Sequence, residues 1–243
     1  MWCRHIDAEL WEYRIRMFRD LTYWGAALHG GNPLSFRAWV SDAIVNLVGL
    51  ILSVGSAAYL LANAARQGAD FGVLFALSAY AAALVASFLA SLVYNSGPWH
   101  SVRPLLRRLD HAAIYIKISG TATPFAVMIS TPFALSVLAL VWTLALYGAS
   151  RKLFFWQTPS RWDPLVYLAL AWFSALPMIS LPGIVPWQTL ALMMTGGALY
   201  TSGVSIYVRH DWPYARALWH LFVLSASGAF FAALLIGAPG VLY

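Results

Sequence analysis

The chain has 243 residues, of which 61% are hydrophobic and only 10% are charged. A soluble globular domain carries about 25% charged residues, so this composition excludes that class and indicates an integral membrane protein. The single cysteine, Cys3, excludes a disulfide framework and a cysteine-rich metal site. The net charge of +6 does not indicate nucleic-acid binding, because arginines in short loops between spans have a topological role.

The first 38 residues form a polar, aromatic-rich arm rather than a membrane span. Within it, Trp11, Ile15 and Phe18 share one helical face, whereas arginines lie elsewhere around the helix. This spacing predicts an amphipathic helix in the interface of an anionic leaflet, and the alternative is a poorly ordered cytoplasmic arm. We therefore divide the chain into an N-terminal arm at 1–38 and a transmembrane domain at 39–240.

Seven apolar segments follow the arm, and a membrane-spanning helix needs roughly 20 residues. Pro132 and Pro186 are suited to the first turn of a helix, so each is expected to begin a span. Pro177 lies inside the fifth segment and is expected to kink it. The sequence therefore predicts an all-α fold with seven transmembrane helices, near 39–64, 71–95, 110–129, 131–149, 164–182, 186–207 and 214–238.

The distribution of arginine and lysine predicts the orientation of these spans. Thirteen of the 15 basic residues fall in the arm and in the second, fourth and sixth loops, whereas the opposite side carries only Arg66. The remaining one, Lys117, lies within a span. The N-terminus is therefore expected inside and the C-terminus outside.

The polar residues of the spans are expected to meet near the cytoplasmic ends. Six of them form three pairs whose members are four residues apart, so each pair shares one helix face. Asp110 opens the third predicted span, and Lys117 lies on the same face about 10 Å deeper. Ionisable groups in a bilayer are costly and normally pair in the bundle interior. The predicted polar cluster comprises Asp42, Asn46, Ser91, Asn95, Asp110, Lys117, Arg216 and His220.

Each of these residues also has a simpler interpretation. Arg216 is long enough to reach the headgroups, Asp42 can cap its helix, and Asn95 can be an ordinary loop residue. His220 can be a satisfied interior histidine. Lys117 is the hardest to explain in this way, because it lies too deep to reach the headgroups easily. The coincidence of all these residues at one depth is what favours an interior site.

Four stretches carry a resemblance to a known family: SLVYN at 91–95, LRRLDHAAIYIKISGTATPF at 106–125, GGALYTSGVSIY at 196–207 and PYARALWHLFV at 213–223. The chain resembles the hemolysin III family, the bacterial branch of the progestin and adipoQ receptor (PAQR) proteins, which are related to alkaline ceramidases. The resemblance implies seven helices, an internal N-terminus and a zinc ion near the cytoplasmic ends.

The family's zinc site is incomplete in this chain. The resemblance implies one histidine ligand on the second helix, two on the seventh, and an aspartate on the third that binds the zinc water. Ser91 and Asp110 match the pattern, and His220 is the only retained ligand. Asn95 and Arg216 stand where the other two histidines are expected. Asparagine is a poor zinc ligand, and arginine cannot be deprotonated to become one.

The leading hypothesis is a divergent, metal-free hemolysin III protein with a structural or lipid-binding role, and it favours a non-enzyme over an enzyme. Arg216, together with Lys117, would replace the zinc charge and pair with Asp110 and Asp42, since a guanidinium offers several donors in a fixed fork. The expected role is lipid binding or membrane homeostasis at the cytoplasmic leaflet of the bacterial inner membrane. Membrane lipids are the expected partners, and a glycine-rich sixth span is compatible with a homo-oligomer.

Two alternatives remain open. A zinc-dependent lipid amide hydrolase, similar to ceramidases, would use Asp110 as a base and Ser91 to hold an oxyanion. It requires further nitrogen ligands, for which His100 and His111 are the nearest candidates, although both are expected in interfacial loops. The family name also points to cytolytic or pore-related activity, but no predicted span has a polar stripe along its full length.

Overall fold

The chain folds into a bundle of α-helices, known here from a computed structural model that describes residues 36–97, 101–155, 162–208 and 212–239. The predicted interfacial helix lies outside the described residues, and of the predicted N-terminal arm only 36–38 are described, where the first helix has already begun. The α-helices are α1 (Phe36–Arg66), α2 (Phe71–Ser96), α3 (Arg103–Ile129), α4 (Pro132–Ser150), α5 (Asp163–Ser174), α6 (Trp187–Tyr207) and α7 (Ala215–Gly237).

Six helical segments among the described residues are long and apolar enough to cross a membrane, so the chain is a multi-pass membrane protein. One of the six is α5 together with the residues up to Ser180, because α5 alone has 12 residues. The remaining helix, α6, has 21 residues and is therefore long enough, but several threonines, serines and glycines lower its hydropathy. Gly196 and Gly203 of α6 pack directly against α7, where Phe230 and Phe222 occupy the space that a side chain would need. These two glycines therefore serve packing within the chain.

The start of α3 corrects the prediction that this helix opens at Asp110. The helix begins at Arg103, with Pro104 in its first turn, so Asp110 lies about two turns inside. Proline is tolerated there because the first N–H groups of a helix have no intrahelical partner, and arginine is a good helix former. Arg108 Nη1 donates to the carbonyl of Leu153 at 3.2 Å, which attaches this polar start to the π-helical turn Arg151–Phe155 that follows α4.

Prolines decide two other boundaries. Pro132 begins α4 as predicted, and the Thr131 hydroxyl caps that helix by accepting from the Ala134 N–H at 3.2 Å. Pro177 does not kink a continuous helix: α5 ends at Ser174 and a 3-10 turn, Leu176–Ser180, contains this proline. Proline lacks an N–H and disfavours helical geometry in the preceding residue, so the break falls before it.

Helix α3 lies at the centre of the bundle. Of its membrane-length window, 67% is buried, against 22–44% for the other five spans. It contacts α2, α4, α5 and α7, whereas α1 closes the bundle by packing between α2 and α7. This arrangement places the first turns of α1, α3 and α7 beside the last turns of α2, and the polar residues lie at that end.

Candidate functional site

Five of the eight predicted residues form a closed ring of polar contacts between α1, α2 and α7, which we call the polar ring: Asp42, Ser91, Asn95, Arg216 and His220. Asp42 Oδ1 lies 2.5 Å from His220 Nδ1, and His220 Nε2 lies 2.9 Å from Ser91 Oγ. Asn95 Nδ2 donates to Ser91 Oγ at 3.3 Å, and Asn95 Oδ1 accepts from Arg216 Nη1 at 3.1 Å. The ring closes where Arg216 Nε lies 3.3 Å from Asp42 Oδ2.

The position of each ring residue follows from helical spacing. Asp42 and Asn46 lie one turn apart on α1, and Asn46 Nδ2 donates back to the Asp42 carbonyl at 3.0 Å. In the same way, Asn95 Nδ2 donates to the Ser91 carbonyl at 2.9 Å on α2. These bonds along each helix fix the amide side chains, so that Asn46 Nδ2 and Asn95 Oδ1 also contact residues of α7.

The acceptor-only carboxylate of Asp42 assigns the proton of His220 to Nδ1, which then donates to it. In the neutral imidazole, Nε2 is left as an acceptor for the hydroxyl of Ser91. Ser91, His220 and Asp42 thus form a continuous chain in the order that activates a serine hydroxyl in serine hydrolases. Both nitrogens of His220 are already occupied by protein partners.

The other three predicted residues lie around the ring. Asn46 Nδ2 lies 2.9 Å from His220 Nδ1, and Asp110 lines the same cavity as Ser91. Lys117 departs from the prediction, because among the described residues no acid pairs with it and Nζ has no hydrogen-bond partner. Its ammonium group instead lies 4.6 Å from the ring centre of Phe88 and 5.5 Å from that of Tyr200.

A cavity of about 290 Å³ adjoins the polar ring and runs between α2, α3, α5, α6 and α7. Four of the ring residues line one part of its wall, together with Asn46 and Asp110. The rest of the wall is mostly apolar, with side chains that include Ile114, Ile118, Met193, Trp172 and Val204. Ligand sites typically combine an apolar wall with a few polar groups, so this cavity is the candidate binding site.

Sequence reasoning misplaced one wall residue and missed two others. His111 was expected in a loop but lies in α3, where its Nδ1 is 3.3 Å from the hydroxyl of Tyr167. His100 lies outside the described residues. The aromatic rings of Phe88 and Tyr200 lie next to Lys117. The sequence did not single out these two residues, because both are aromatic residues in apolar helices and only Tyr200 carries a polar group.

Comparison with known proteins agrees with this architecture. The model of the family described as "Haemolysin-III related" matches residues 40–231. The chain belongs to the hemolysin III family. It is 31% identical to Hemolysin-3 of Bacillus cereus, over 79% of this chain and 88% of that protein. It is 29% identical to the Hemolysin-3 homolog of Bacillus subtilis, over 79% of this chain and 90% of that protein.

The similarity extends to animal proteins of the PAQR group. The human monocyte to macrophage differentiation factor is 26% identical to this chain, over 64% of this chain and 67% of that protein. For the hemolysin III family as a whole, the resemblance implies a zinc site at the polar ring. The donor atoms present do not fit that metal, because Arg216 offers no lone pair and Asn95 Oδ1 already accepts from it.

Proposed function

We propose that this chain is a metal-free hemolysin III protein that binds a membrane lipid, and that the polar ring replaces the zinc site. We further propose seven spans, with α6 as the least apolar one, and the polar ring at the cytoplasmic leaflet of a bacterial inner membrane. The observation that supports this proposal is the closure of the polar ring beside a largely apolar cavity.

Charge compensation within the ring explains how the site holds together without a metal. Asp42 is 1% exposed, and a carboxylate buried in this way needs a cation or several donors to remain ionised. Arg216 and His220 each contact one of its two oxygens. A zinc ion would have to displace these contacts and bind next to a fixed positive charge, which is unfavourable at close range in a low-dielectric site.

The metal prediction is tested by the metal content of the purified protein. Elemental mass spectrometry of the wild-type protein and of a His220→Ala variant should find no stoichiometric zinc in either. About one zinc per chain that disappears in the variant would overturn the metal-free proposal. A zinc-loaded, bona fide family member purified in the same way serves as the positive control.

The lipid prediction is tested by filling the cavity. Val204 lines the cavity, so Val204→Trp should reduce the amount of lipid that remains with the protein after extensive detergent washing. Leu221 is 45% exposed on α7 and does not line the cavity, so Leu221→Trp is the matched control. Extraction and lipid mass spectrometry give the readout, and equal lipid content in both variants would contradict a role for the cavity.

A second candidate function is hydrolysis of a lipid acyl bond, which the chain Ser91–His220–Asp42 favours. Ser91 would be the nucleophile, His220 the base that takes its proton and later protonates the leaving group, and Asp42 the group that orients the imidazole. Water would then release the acyl group. This candidate modifies the zinc-dependent alternative, because it assigns the nucleophile to a side chain rather than to a metal-bound water.

A serine-directed fluorophosphonate probe distinguishes the two candidates. Hydrolysis predicts covalent labelling of the native protein that is lost in Ser91→Ala and strongly reduced in His220→Ala. Lipid binding alone predicts no labelling. Ser53 is buried on α1 and bonded to its own helix, so Ser53→Ala is the control for a nonspecific effect of losing a buried hydroxyl.

A further inference from the structure

We propose that Lys117 is the head-group anchor of the cavity and that the ligand is a single-chain amphiphile with a compact anionic head, of the carboxylate class. This inference rests on the proposed lipid-binding function and specifies its ligand. It assigns the anchor to a residue on α3, apart from the polar ring.

The buried ammonium group of Lys117 has no hydrogen-bond acceptor among the described residues. The residue is 6% exposed and lines the cavity, and Nζ carries three donors with no acceptor among the described residues. The faces of Phe88 and Tyr200 compensate part of the positive charge but accept no conventional hydrogen bond. A buried ammonium group normally pairs with an anion or loses its charge. A ligand that brings an anion satisfies it.

The polar groups near Lys117 are bonded to other residues and do not accept a hydrogen bond from its Nζ. Asp42 is engaged by Arg216 and His220, and among the described residues Lys117 Nζ has no hydrogen bond to Asp110. The hydroxyl of Tyr200 lies 3.2 Å from Ser227 Oγ, so its nearest partner is on α7. Arg216, which also lines the cavity, pairs with Asp42 and Asn95, whereas Lys117 Nζ has no hydrogen-bond partner among the described residues.

The size and chemistry of the cavity define the rest of the ligand. A volume of about 290 Å³ is at the lower end of the range of roughly 300–1,000 Å³ for small-molecule pockets, which favours one acyl chain over two. Ile114, Ile118 and Met193 provide an apolar wall for that chain. The anionic head is expected at Lys117 rather than beside Asp110, because two carboxylates in contact repel each other.

The proposal is tested by equilibrium binding to the full-length protein in a non-ionic detergent, after removal of co-purified lipid. The probes are dodecanoate, its methyl ester and dodecyl phosphate, which share one chain length and differ in the head. Wild-type protein should bind dodecanoate at least about tenfold more tightly than the methyl ester, since a charge-assisted hydrogen bond contributes this much. Dodecyl phosphate distinguishes a general anion site from a carboxylate site.

Three variants give the decisive comparison. Lys117→Met keeps the length of the side chain without its charge and should bind both probes equally, whereas Lys117→Arg should retain the preference for dodecanoate. Arg66 is exposed at the opposite end of α1, so Arg66→Met controls for the loss of one positive charge. Thermal unfolding and size-exclusion profiles establish that each variant is folded.

The outcomes separate this inference from the proposed function. Equal binding of acid and ester by the wild-type protein, or an unchanged preference in Lys117→Met, would overturn the role of Lys117 while leaving lipid binding intact. Binding of neither probe by the wild-type protein, with no lipid lost in Val204→Trp, would overturn the proposed function itself. Tighter binding of dodecyl phosphate than of dodecanoate would replace the carboxylate class by a phosphate head.

Discussion

At the scale of single residues, Arg216 joins three helices at the polar ring. Arg216 contacts α1 through Asp42 and α2 through Asn95, so one side chain ties α7 to both. A guanidinium does this well because its donors lie in a rigid plane and point in different directions. As a consequence, the charge of Arg216 compensates that of Asp42 and the reverse, so removing either side chain destabilises the other.

Arg216→Met should therefore destabilise the protein by about 2–3 kcal/mol, less than for a fully buried pair because the Arg216 side chain is 21% exposed. Asp42 would keep its contact with His220 and the 3.4 Å hydrogen bond from Asn46 Nδ2. Thermal unfolding in detergent is the measurement, and combining Arg216→Met with Asp42→Asn should recover part of the loss. An unfolding midpoint equal to that of the wild-type protein would show that the ion pair does not stabilise the ring.

At the scale of elements, α2 and α3 approach each other closely at a glycine. A Cβ atom at Gly120 would lie 2.5 Å from Ala83 Cβ and 3.1 Å from the carbonyl of Ala79. Small residues at such crossings let membrane helices pack by direct contact, which matters because lipid provides no hydrophobic driving force. This crossing holds Ser91 and Asp110 in the register that brings them together, since the two helices carry them.

The prediction at this scale concerns two helical glycines in different surroundings. Gly120→Ala should cost about 1–3 kcal/mol, because overpacking forces the α2–α3 crossing apart. Gly228 on α7 has open space around its Cβ position, so Gly228→Ala should be neutral or stabilising by up to about 1 kcal/mol. Unfolding midpoints in detergent provide the comparison, and the expectation fails if the two substitutions have the same effect.

The observed helix boundaries show which features of the fold the apolar runs in the sequence predict correctly. The apolar runs located the seven α-helices of the described residues, because about 20 apolar residues have no stable alternative in a bilayer. They misplaced the start of α3, since a helix can extend into the headgroup region with polar turns that hydropathy does not detect. They missed the break at Pro177 for a related reason: Leu176–Ser180 is as apolar as the helix before it, and only backbone sterics end the regular helix.

At the scale of the whole molecule, the orientation in the membrane follows from charge rather than from packing. Basic residues are retained on the cytoplasmic side during insertion, and 13 of 15 lie on one predicted side. The ends of the helices that carry the polar ring lie on that same side, next to the start of α3 with its arginines. We therefore expect the ring to face the cytoplasmic leaflet.

Cysteine accessibility tests this orientation. In a Cys3→Ser background, Gln67→Cys, in the turn after α1, should react with a membrane-impermeant maleimide in intact cells with a permeabilised outer membrane. Leu105→Cys, exposed in the first turns of α3, should react only after the inner membrane is disrupted. The reverse pattern would place the polar ring at the outer leaflet and would rule out the proposed topology.

The sequence alone determined the protein class, the helices and the residues of the polar ring, because hydropathy and four-residue spacing are local properties of a helical chain. It also predicts that Arg216 replaces a metal ligand, and the metal analysis of the purified protein tests this prediction. The tertiary structure alone decided the partners: Arg216 with Asp42 and Asn95, and Lys117 with two aromatic rings rather than with an acid. Which side chains meet depends on how the helices are rotated and how closely they cross, and these depend on packing between residues far apart in the chain.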